Sequence, residues 1–243
     1  MPATSRRRPT TRKGRPVLTR EAIAAKALEM AGTQGFRSVT MRALAAELDV
    51  TVRALYNYVE DRQEVIDLAL ALMLDSWTLP PLRPTAWEES VTGYARSLRE
   101  LYARWPRALL VSLDEDAPPA SVHPNRLLNV DRFLQLLRDI GLGLPAALEV
   151  HRHLSLLMLS FALVVDRPAA PSAEDRGAPV PGTWLAAHSD LDLPALREAA
   201  ELPAPSTDAQ FDQLVSVVLA HIHSHLGTSP SDPATPEADA PGA

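Results

Sequence analysis

The sequence contains no cysteine among its 243 residues, and aromatic residues make up only 5% of it. Without cysteine, disulfides, thiolate catalysis and cysteine-based zinc fingers are all excluded. The sequence also has no Gly-rich phosphate loop, no Gly-x-Ser-x-Gly and no His-Glu-x-x-His. We therefore expect a protein that is not an enzyme and that carries no metal or other cofactor.

Long hydrophobic runs are missing as well. The longest apolar-rich stretch, residues 154–165, is shorter than the about 20 residues that span a bilayer. The basic N-terminus is not followed by an apolar segment of the signal-peptide kind. Since hydrophobic residues still make up 46% of the chain, a full core is expected. These features predict a cytoplasmic protein without a membrane partner, and the lack of cysteine agrees with that compartment.

Acidic residues are absent from the first 20 positions, which hold seven basic ones. Residues 1–62 carry twelve Lys and Arg against six Asp and Glu, a net charge of +6, whereas the rest carries twelve against twenty-four, a net of −12. A basic quarter on an acidic protein indicates local contact with nucleic acid. Residues 1–16 have no apolar period and are predicted to be a disordered basic arm. Two readings stay open for it: a solubilising tail, or an arm that lies along phosphates.

Helix signals begin directly after this arm. Thr19 and Thr40 are good N-caps for two helices, the first of which ends at Gly35. Thr51 can cap a third short helix, and Asp61, with Glu64 three residues on, can cap a fourth. Two short helices around a tight turn, with small alanines at their crossing, are typical of a helix-turn-helix.

The remaining chain also predicts helices, at about 87–104, 106–113, 124–140, 145–166, 191–201 and 207–226. No strand alternation is visible, so the expected fold class is all-α. A DNA-binding domain over 17–77 is followed by a larger helical domain over 78–226. Residues 166–190 read as a long loop, and the Pro-, Ala- and Ser-rich residues 227–243 as a disordered tail.

Residues 40–59, TMRALAAELDVTVRALYNYV, resemble the helix-turn-helix of the TetR family of bacterial repressors. The resemblance covers roughly 17–77, and beyond that it leans more weakly to the tetracycline-repressor branch. One departure is Asp49, where the family usually has glycine in the turn, but Asp tolerates the left-handed conformation. The resemblance implies a homodimer, a helical pocket for a small-molecule effector and binding to double-stranded inverted-repeat DNA.

By this resemblance the DNA contacts come from the second and third helices. An arginine guanidinium can donate two hydrogen bonds to one guanine, at O6 and N7, and a tyrosine hydroxyl can donate to a phosphate. The plainer alternative is that the tyrosines only pack and the arginines only solubilise. The residues expected to contact DNA are Thr40, Arg42, Thr51, Val52, Arg53, Ala54, Tyr56, Asn57, Tyr58 and Arg62.

The resemblance also places an effector pocket in the second domain. Ser112 stands where the tetracycline repressors have a metal-holding histidine, and serine is a poor substitute on a divalent ion. We therefore expect a largely hydrophobic or aromatic effector and no recognition of magnesium–tetracycline. The expected lining is Thr78, Tyr94, Leu98, Tyr102, Ser112, Phe133, His151 and Met158.

Wide apolar stripes on the helices near 145–166 and 207–226 are interpreted as a four-helix dimer interface. The residues assigned to it are Leu154, Phe161, Phe211, Leu214, Val215, Val218 and Ile222. His221 and His225 lie four apart, which suits zinc, but no third ligand stands near them in the sequence, so no metal site is expected.

These expectations combine into a repressor that leaves a palindromic operator when its effector binds. A ligand-independent activator or architectural DNA binder is the alternative, and an enzyme that uses the helical pocket is the third class. A cavity in the second domain would favour the effector-released repressor. A pocket filled solidly with side chains would favour the ligand-independent activator or architectural DNA binder.

Overall fold

Helices account for almost all the regular structure in the computed structural model of the protein. The structure describes residues 11–12, 15–16, 18–108, 123–166, 180–203 and 205–227. In these ranges the α-helices are α1 (Arg20–Gln34), α2 (Met41–Glu47), α3 (Val52–Leu55), α4 (Arg62–Asp75), α5 (Trp87–Arg104), α6 (Pro124–Asp139), α7 (Leu144–Val164), α8 (Gly182–Ala187), α9 (Pro194–Glu201) and α10 (Thr207–Gly227). The expected all-α fold is confirmed.

Oxygen-bearing caps start the four N-terminal helices, as the sequence predicts. The hydroxyls of Thr19, Thr40 and Thr51 each accept the backbone N–H three residues on, at 3.1 to 3.2 Å. Asp61 does the same for α4 at 2.8 Å. Each bond satisfies an N–H that the first helical turn leaves without a partner.

Two positions in this region have positive φ. Gly35 ends α1 with φ 84°, and Asp49 turns the chain between α2 and α3 with φ 52°. Asp49 is the departure from the family's glycine, and the structure confirms that it adopts the left-handed conformation. The turn between α2 and α3 therefore keeps its geometry despite the substitution.

The first four helices pack around buried hydrophobic residues that belong to a core continuing into the second domain. α1 packs along α4, while α2 and α3 cross each other beside them. Ile23, Phe36, Leu44, Leu55 and Ile66 are all fully buried there. Since α3 spans only one turn, its position depends on burying Leu55.

A short pair of strands lies in the segment predicted to be an irregular arm. Thr11–Arg12 pairs antiparallel with Arg15–Pro16. For these four residues the expectation of no regular structure is wrong. Two strands separated by two residues, Lys13 and Gly14, have the spacing of a hairpin, which is too short to produce an apolar period.

The second domain is built on α5, α6, α7 and α10. α7 packs against the other three, and α10 also contacts α5. α8 and α9 pack on each other. α8 corrects the predicted loop over 166–190: only Leu185 of this six-residue helix is buried, so it gives no periodic signal. Most of the predicted helix 106–113 lies outside the described residues.

α7 is long and apolar enough to cross a membrane by length and composition alone. One such helix is weak evidence for a membrane span, because the core helix of a globular protein passes the same test. About a third of its apolar window, 33%, is buried within the chain. One side of α7 therefore packs in the domain while the other is left uncovered.

Candidate DNA-binding surface and effector pocket

The helix-turn-helix presents a polar outer face. α2 and α3 bury Leu44, Ala45 and Leu55 against α1 and α4, which turns their remaining side chains outward. The expected DNA-contact residues that the structure leaves exposed are Thr40, Arg42, Thr51, Arg53, Tyr56 and Asn57. Two guanidiniums, a phenol, an amide and two hydroxyls on one surface form a donor-rich set that suits phosphates and base edges.

Three of the expected contact residues are only partly exposed. Val52 and Tyr58 are half-buried and pack against the domain core, and Ala54 is half-buried in the single turn of α3. Val52 and Tyr58 therefore help to position α3 as well as contributing to its surface.

Arg62, one of the expected DNA contacts, bonds to backbone carbonyls within its own domain. Its guanidinium donates to the carbonyl of Val39 at 2.7 Å and to that of Phe36 at 2.8 Å. Those carbonyls lie in the connection between α1 and α2. A half-buried arginine that satisfies two backbone acceptors ties the start of α4 to this connection. The structure thus ties Arg62 into the domain, and its expected contact with a DNA phosphate stays a prediction.

We expect Arg62→Ala to lower the free energy of unfolding by about 2 kcal/mol, because two charge-assisted hydrogen bonds to backbone carbonyls are lost. Urea unfolding followed by circular dichroism measures this. The salt dependence of DNA binding, measured on folded protein, decides whether Arg62 also contacts a phosphate, because the loss of such a contact makes the slope shallower. Unchanged stability would contradict the role within the domain.

A second set of polar contacts ties the turn before α4 to the start of α1. Arg20 donates to the carbonyl of Tyr58 at 2.7 Å and pairs with Glu64. Glu64 in turn accepts the N–H of Glu60, which, followed by the Arg20 pairing, lowers the pKa of its carboxyl. Sequence reasoning counted Arg20 only among the seven basic residues of the first 20 positions, since Tyr58 and Glu64 lie 38 and 44 positions away.

A row of rings runs from the end of α4 into the second domain. The rings of Trp77 and Tyr94 lie 6.0 Å apart, and Tyr94 stacks on Phe133 at 3.9 Å with an interplanar angle of 15°. Phe133 lies 6.1 Å from His151 on α7. The structure thus brings together three of the expected pocket residues, Tyr94, Phe133 and His151.

Two of these three residues, Tyr94 and His151, are polar; Tyr94 is buried and His151 is half-buried. The hydroxyl of Tyr94 is buried and has no hydrogen-bond partner among the described residues. Burial raises the pKa of Tyr94 and lowers the pKa of His151, so both side chains are held neutral at pH 7. An unpartnered buried hydroxyl, joined through the Phe133 ring to an imidazole, is suited to hydrogen-bonding a polar atom on an otherwise apolar molecule.

The other expected pocket residues divide into three groups. Leu98 and Met158 are buried in the core, and Tyr102 is half-buried with its pKa raised by burial. Ser112 lies outside the described residues. Thr78 is exposed and lines an outer cleft of about 280 Å³ with Trp105. Trp77 also lines this cleft, so the effector contact expected of Thr78 stays a prediction.

The N-terminal end of α6 holds the C-terminal end of α4. Asn125 donates to the carbonyl of Leu74 at 3.1 Å, and His123 contacts Asp75 at 3.1 Å. Asn129, which is buried, donates to the carbonyl of Trp77 at 3.4 Å. The two asparagines thus bond to carbonyls at and just beyond the end of α4, and the carbonyl of Leu74 also accepts the N–H of Trp77. A movement of α6 is therefore passed directly to α4.

A second junction joins α1 to the end of α5. The N–H of Arg107 donates to the carbonyl of Gly32 at 3.3 Å. A Cβ at Gly32 would lie 2.9 Å from Cδ1 of Trp105, so glycine is what allows the two segments to approach. The helices leave a cleft of about 670 Å³ beside this contact. The two domains thus meet through α4 and through α1.

The stripes assigned to the dimer interface are core residues of the single chain. Leu214 is half-buried, and the other six, Leu154, Phe161, Phe211, Val215, Val218 and Ile222, are buried. The assignment is wrong for those six, because α7 and α10 turn their strongest stripes toward each other and toward α5. Sequence periodicity finds a buried face but does not tell an intrachain neighbour from a partner subunit.

Arg99 forms two ion pairs in the second domain, and sequence reasoning missed both of them. It makes two bonds of 2.9 Å to the carboxylate of Asp166 and one of 2.9 Å to that of Asp208. Its guanidinium also lies about 5 Å from the ring centroids of Phe161 and Phe211. It therefore joins α5 to the ends of α7 and α10.

A helix-turn-helix domain with a donor-rich outer face, joined to a helical domain with a buried aromatic cluster, defines a two-domain DNA-binding regulator. Residues 23–68 match the family model of bacterial regulatory proteins, tetR family, and residues 79–226 match the tetracyclin repressor-like C-terminal domain. The chain belongs to the TetR family of transcriptional regulators.

Individual relatives agree with this assignment. The chain is 31% identical over 144 residues to the HTH-type transcriptional repressor DrrR1 of Streptomyces coeruleorubidus. The matched segment covers 57% of this chain and 50% of the relative. An HTH-type transcriptional regulator of Saccharopolyspora erythraea is 29% identical over 129 residues, covering 53% of each chain. The chain thus spans about half the length of the curated relatives it matches.

Solved structures extend the similarity over both domains. Apo ActR from Streptomyces coelicolor is 26% identical, with a TM-score of 0.60, and the match covers 86% of this chain and 97% of ActR. ActR in complex with (S)-DNPA is also 26% identical, with a TM-score of 0.58, over 85% and 98% of the two chains.

Proposed function

We propose that this protein is a cytoplasmic repressor that binds an inverted-repeat operator as a homodimer and leaves it when a small, largely hydrophobic or aromatic effector binds. The observation that carries the proposal is the row of rings from Trp77 through Tyr94 and Phe133 to His151. It connects the expected effector pocket to the end of α4, which belongs to the DNA-binding domain. The role is regulatory and not enzymatic.

Operator recognition is supported by the exposed face of α2 and α3. Arg53 and Asn57, in and just after α3, are suited to base edges, while Thr40 and Arg42 at the start of α2 are suited to phosphates. One helix-turn-helix reads too few base pairs for useful specificity. Two copies about 34–36 Å apart enter successive major grooves, which favours a palindromic site.

The dimer is proposed to form through the outer faces of α7 and α10. With the strongest stripes buried inside the chain, the apolar residues that remain exposed are on the other side of these helices. Leu148, Leu156 and Val164 on α7 and Val217 on α10 are all exposed. A largely uncovered apolar helix beside a second one is suited to a four-helix interface with another copy. This arrangement also accounts for the apolar length of α7 without a membrane.

Release is proposed to start at the contact between Tyr94 and Phe133. The two rings are fully buried and stacked, so side chains fill the space between α5 and α6 in this structure, which is the arrangement expected of a ligand-independent binder. In the mechanism proposed here, an effector that enters must part the two helices. α6 carries Asn125 and Asn129, which hold the end of α4. An effector that binds the opened state more tightly shifts the two DNA-binding domains away from operator spacing. The complex of ActR with (S)-DNPA supports a small-molecule effector at this kind of fold.

The operator part of the proposal is tested with DNA from the region upstream of the protein's own gene. We expect saturable binding of two chains per site, protection of an inverted repeat in footprinting, and an affinity that falls steeply with salt as phosphate counterions are released. Absence of any sequence-specific binding at low salt would overturn the proposal.

The coupling step is tested by Asn125→Ala. We expect operator affinity to stay within about 3-fold of wild type, while the effector concentration that gives half release changes by about 10-fold or more, because the α6-to-α4 bond carries part of the coupling. Gln135→Ala is the control, since the hydrogen bond of Gln135 to Asp139 stays within α6. Equal release curves for both variants would remove Asn125 from the mechanism.

A further inference from the structure

Metal-ligating side chains face each other across the contact between α7 and α10. Glu149 and His153 lie one turn apart on α7, and His221 and His225 lie one turn apart on α10. Residues four apart share a helix face, and ligand atoms of Glu149, His153 and His221 come together between the two helices. The sequence shows only the His221–His225 pair, because the other two residues lie about 70 positions away.

The distances among these groups are close to those of a metal site. One ligand atom each of Glu149, His153 and His221 all lie within 4.8 Å of one another. Nε2 of His221 is 3.6 Å from Oε1 of Glu149, and the rings of His153 and His221 have centroids 5.5 Å apart. Ligands at about 2.0–2.1 Å in a tetrahedral zinc site are about 3.3 Å apart, so small side-chain rotations complete the site.

Two histidine nitrogens at this contact have no hydrogen-bond partner among the described residues. They are Nε2 of His221 and Nε2 of His225, and both atoms are buried. The two rings meet edge to face, 4.7 Å apart at 69°, which fixes the orientation of His221. A buried imidazole nitrogen without a partner is costly to leave so, and a metal ion that takes its lone pair removes that cost.

We propose that Glu149, His153 and His221 form a binding site for a divalent transition ion of the zinc class, with solvent in the fourth position and His225 packed against it. Two imidazoles and one carboxylate favour zinc over magnesium or calcium, which prefer all-oxygen sites. The ion clamps α7 to α10 beside the face proposed for dimerisation. This site is separate from the effector pocket and stands without the proposed function.

The test uses untagged full-length protein and zinc chloride, with calorimetry and a competing chelator. We expect one zinc per chain, and a dissociation constant about 100-fold weaker in His153→Gln and in His221→Gln. His223→Gln is the matched control: it lies on the same helix, but its ring contacts Glu88 at 2.8 Å, so wild-type affinity is expected.

Two further readouts check that the effect is a metal site. Cobalt(II) should give a tetrahedral visible spectrum with wild type and with His223→Gln, and not with the two ligand variants. Zinc at about 100 times its dissociation constant should raise the Tm of wild type by about 5 °C or more. Circular dichroism confirms that each variant is folded. Zinc binding weaker than about 10 µM in wild type, or equal binding by folded ligand variants, overturns the proposal.

Discussion

Aspartate at both Leu156 and Val217 is expected to turn the protein into a monomer and to lower operator affinity by about 100-fold or more. Both side chains are largely exposed in the single chain, at 59% and 65%, so the fold itself should tolerate the change. In a dimer of two identical chains the two substitutions place four carboxylates in the apolar interface. Removing each of these carboxylates from water costs several kcal/mol. Monomers then engage half-sites singly, without the affinity that comes from two linked contacts.

Sedimentation and fluorescence anisotropy with a labelled operator measure the two effects on the same samples. Leu127→Asp is the matched control, because Leu127 is 64% exposed on α6, away from the outer faces of α7 and α10. It should remain dimeric and bind the operator normally. A double variant that stays dimeric at micromolar concentration would place the interface elsewhere on the chain.

Arg53→Ala and Arg42→Ala are expected to weaken DNA binding in two different ways. Arg53 lies in α3, so its loss should cost about 1–3 kcal/mol at the operator and relax the preference at one base position. Arg42 lies at the start of α2, so its loss should weaken binding about equally on all sequences and reduce the salt slope by about 1. Both side chains are exposed, and the protein should stay folded.

Binding of each variant to the operator and to scrambled DNA, over a range of salt concentrations, separates these outcomes. Arg138→Ala removes the same charge from an exposed position on α6 and should leave both quantities unchanged. If Arg53→Ala keeps full discrimination between operator and scrambled DNA, the groove assignment for α3 is wrong.

The DNA-binding domain was accessible from sequence because its signals are local. Each cap lies three residues from the N–H that it accepts, and the buried stripe of α2 repeats every three or four residues. Asp49 could be assigned to the turn because aspartate is one of the few residue types that tolerate the left-handed backbone conformation. Local chemistry of this kind needs no knowledge of what lies across the domain.

The roles that sequence reasoning mistook or missed depend on distant partners. Arg62 was expected at a phosphate because it is basic and follows the motif, but its bonds to backbone carbonyls 23 and 26 positions earlier were missed. The stripe containing Phe211 and Val218 was assigned to a partner subunit, although it packs on α7 and α5. Periodicity reports that a face is buried, and only the tertiary arrangement reports what buries it.

Release of a bound operator by an aromatic molecule is the measurement that tests the central claim most directly. The labelled operator is held by wild-type protein at half saturation, and anisotropy is followed as (S)-DNPA, a set of polycyclic aromatic compounds, or tetracycline with Mg²⁺ is added. We predict saturable release by at least one aromatic compound, accompanied by a change in tryptophan fluorescence because Trp77 ends the row of rings, and no release by magnesium–tetracycline. An operator complex that no aromatic compound dissociates, or one that magnesium–tetracycline dissociates, would contradict the account.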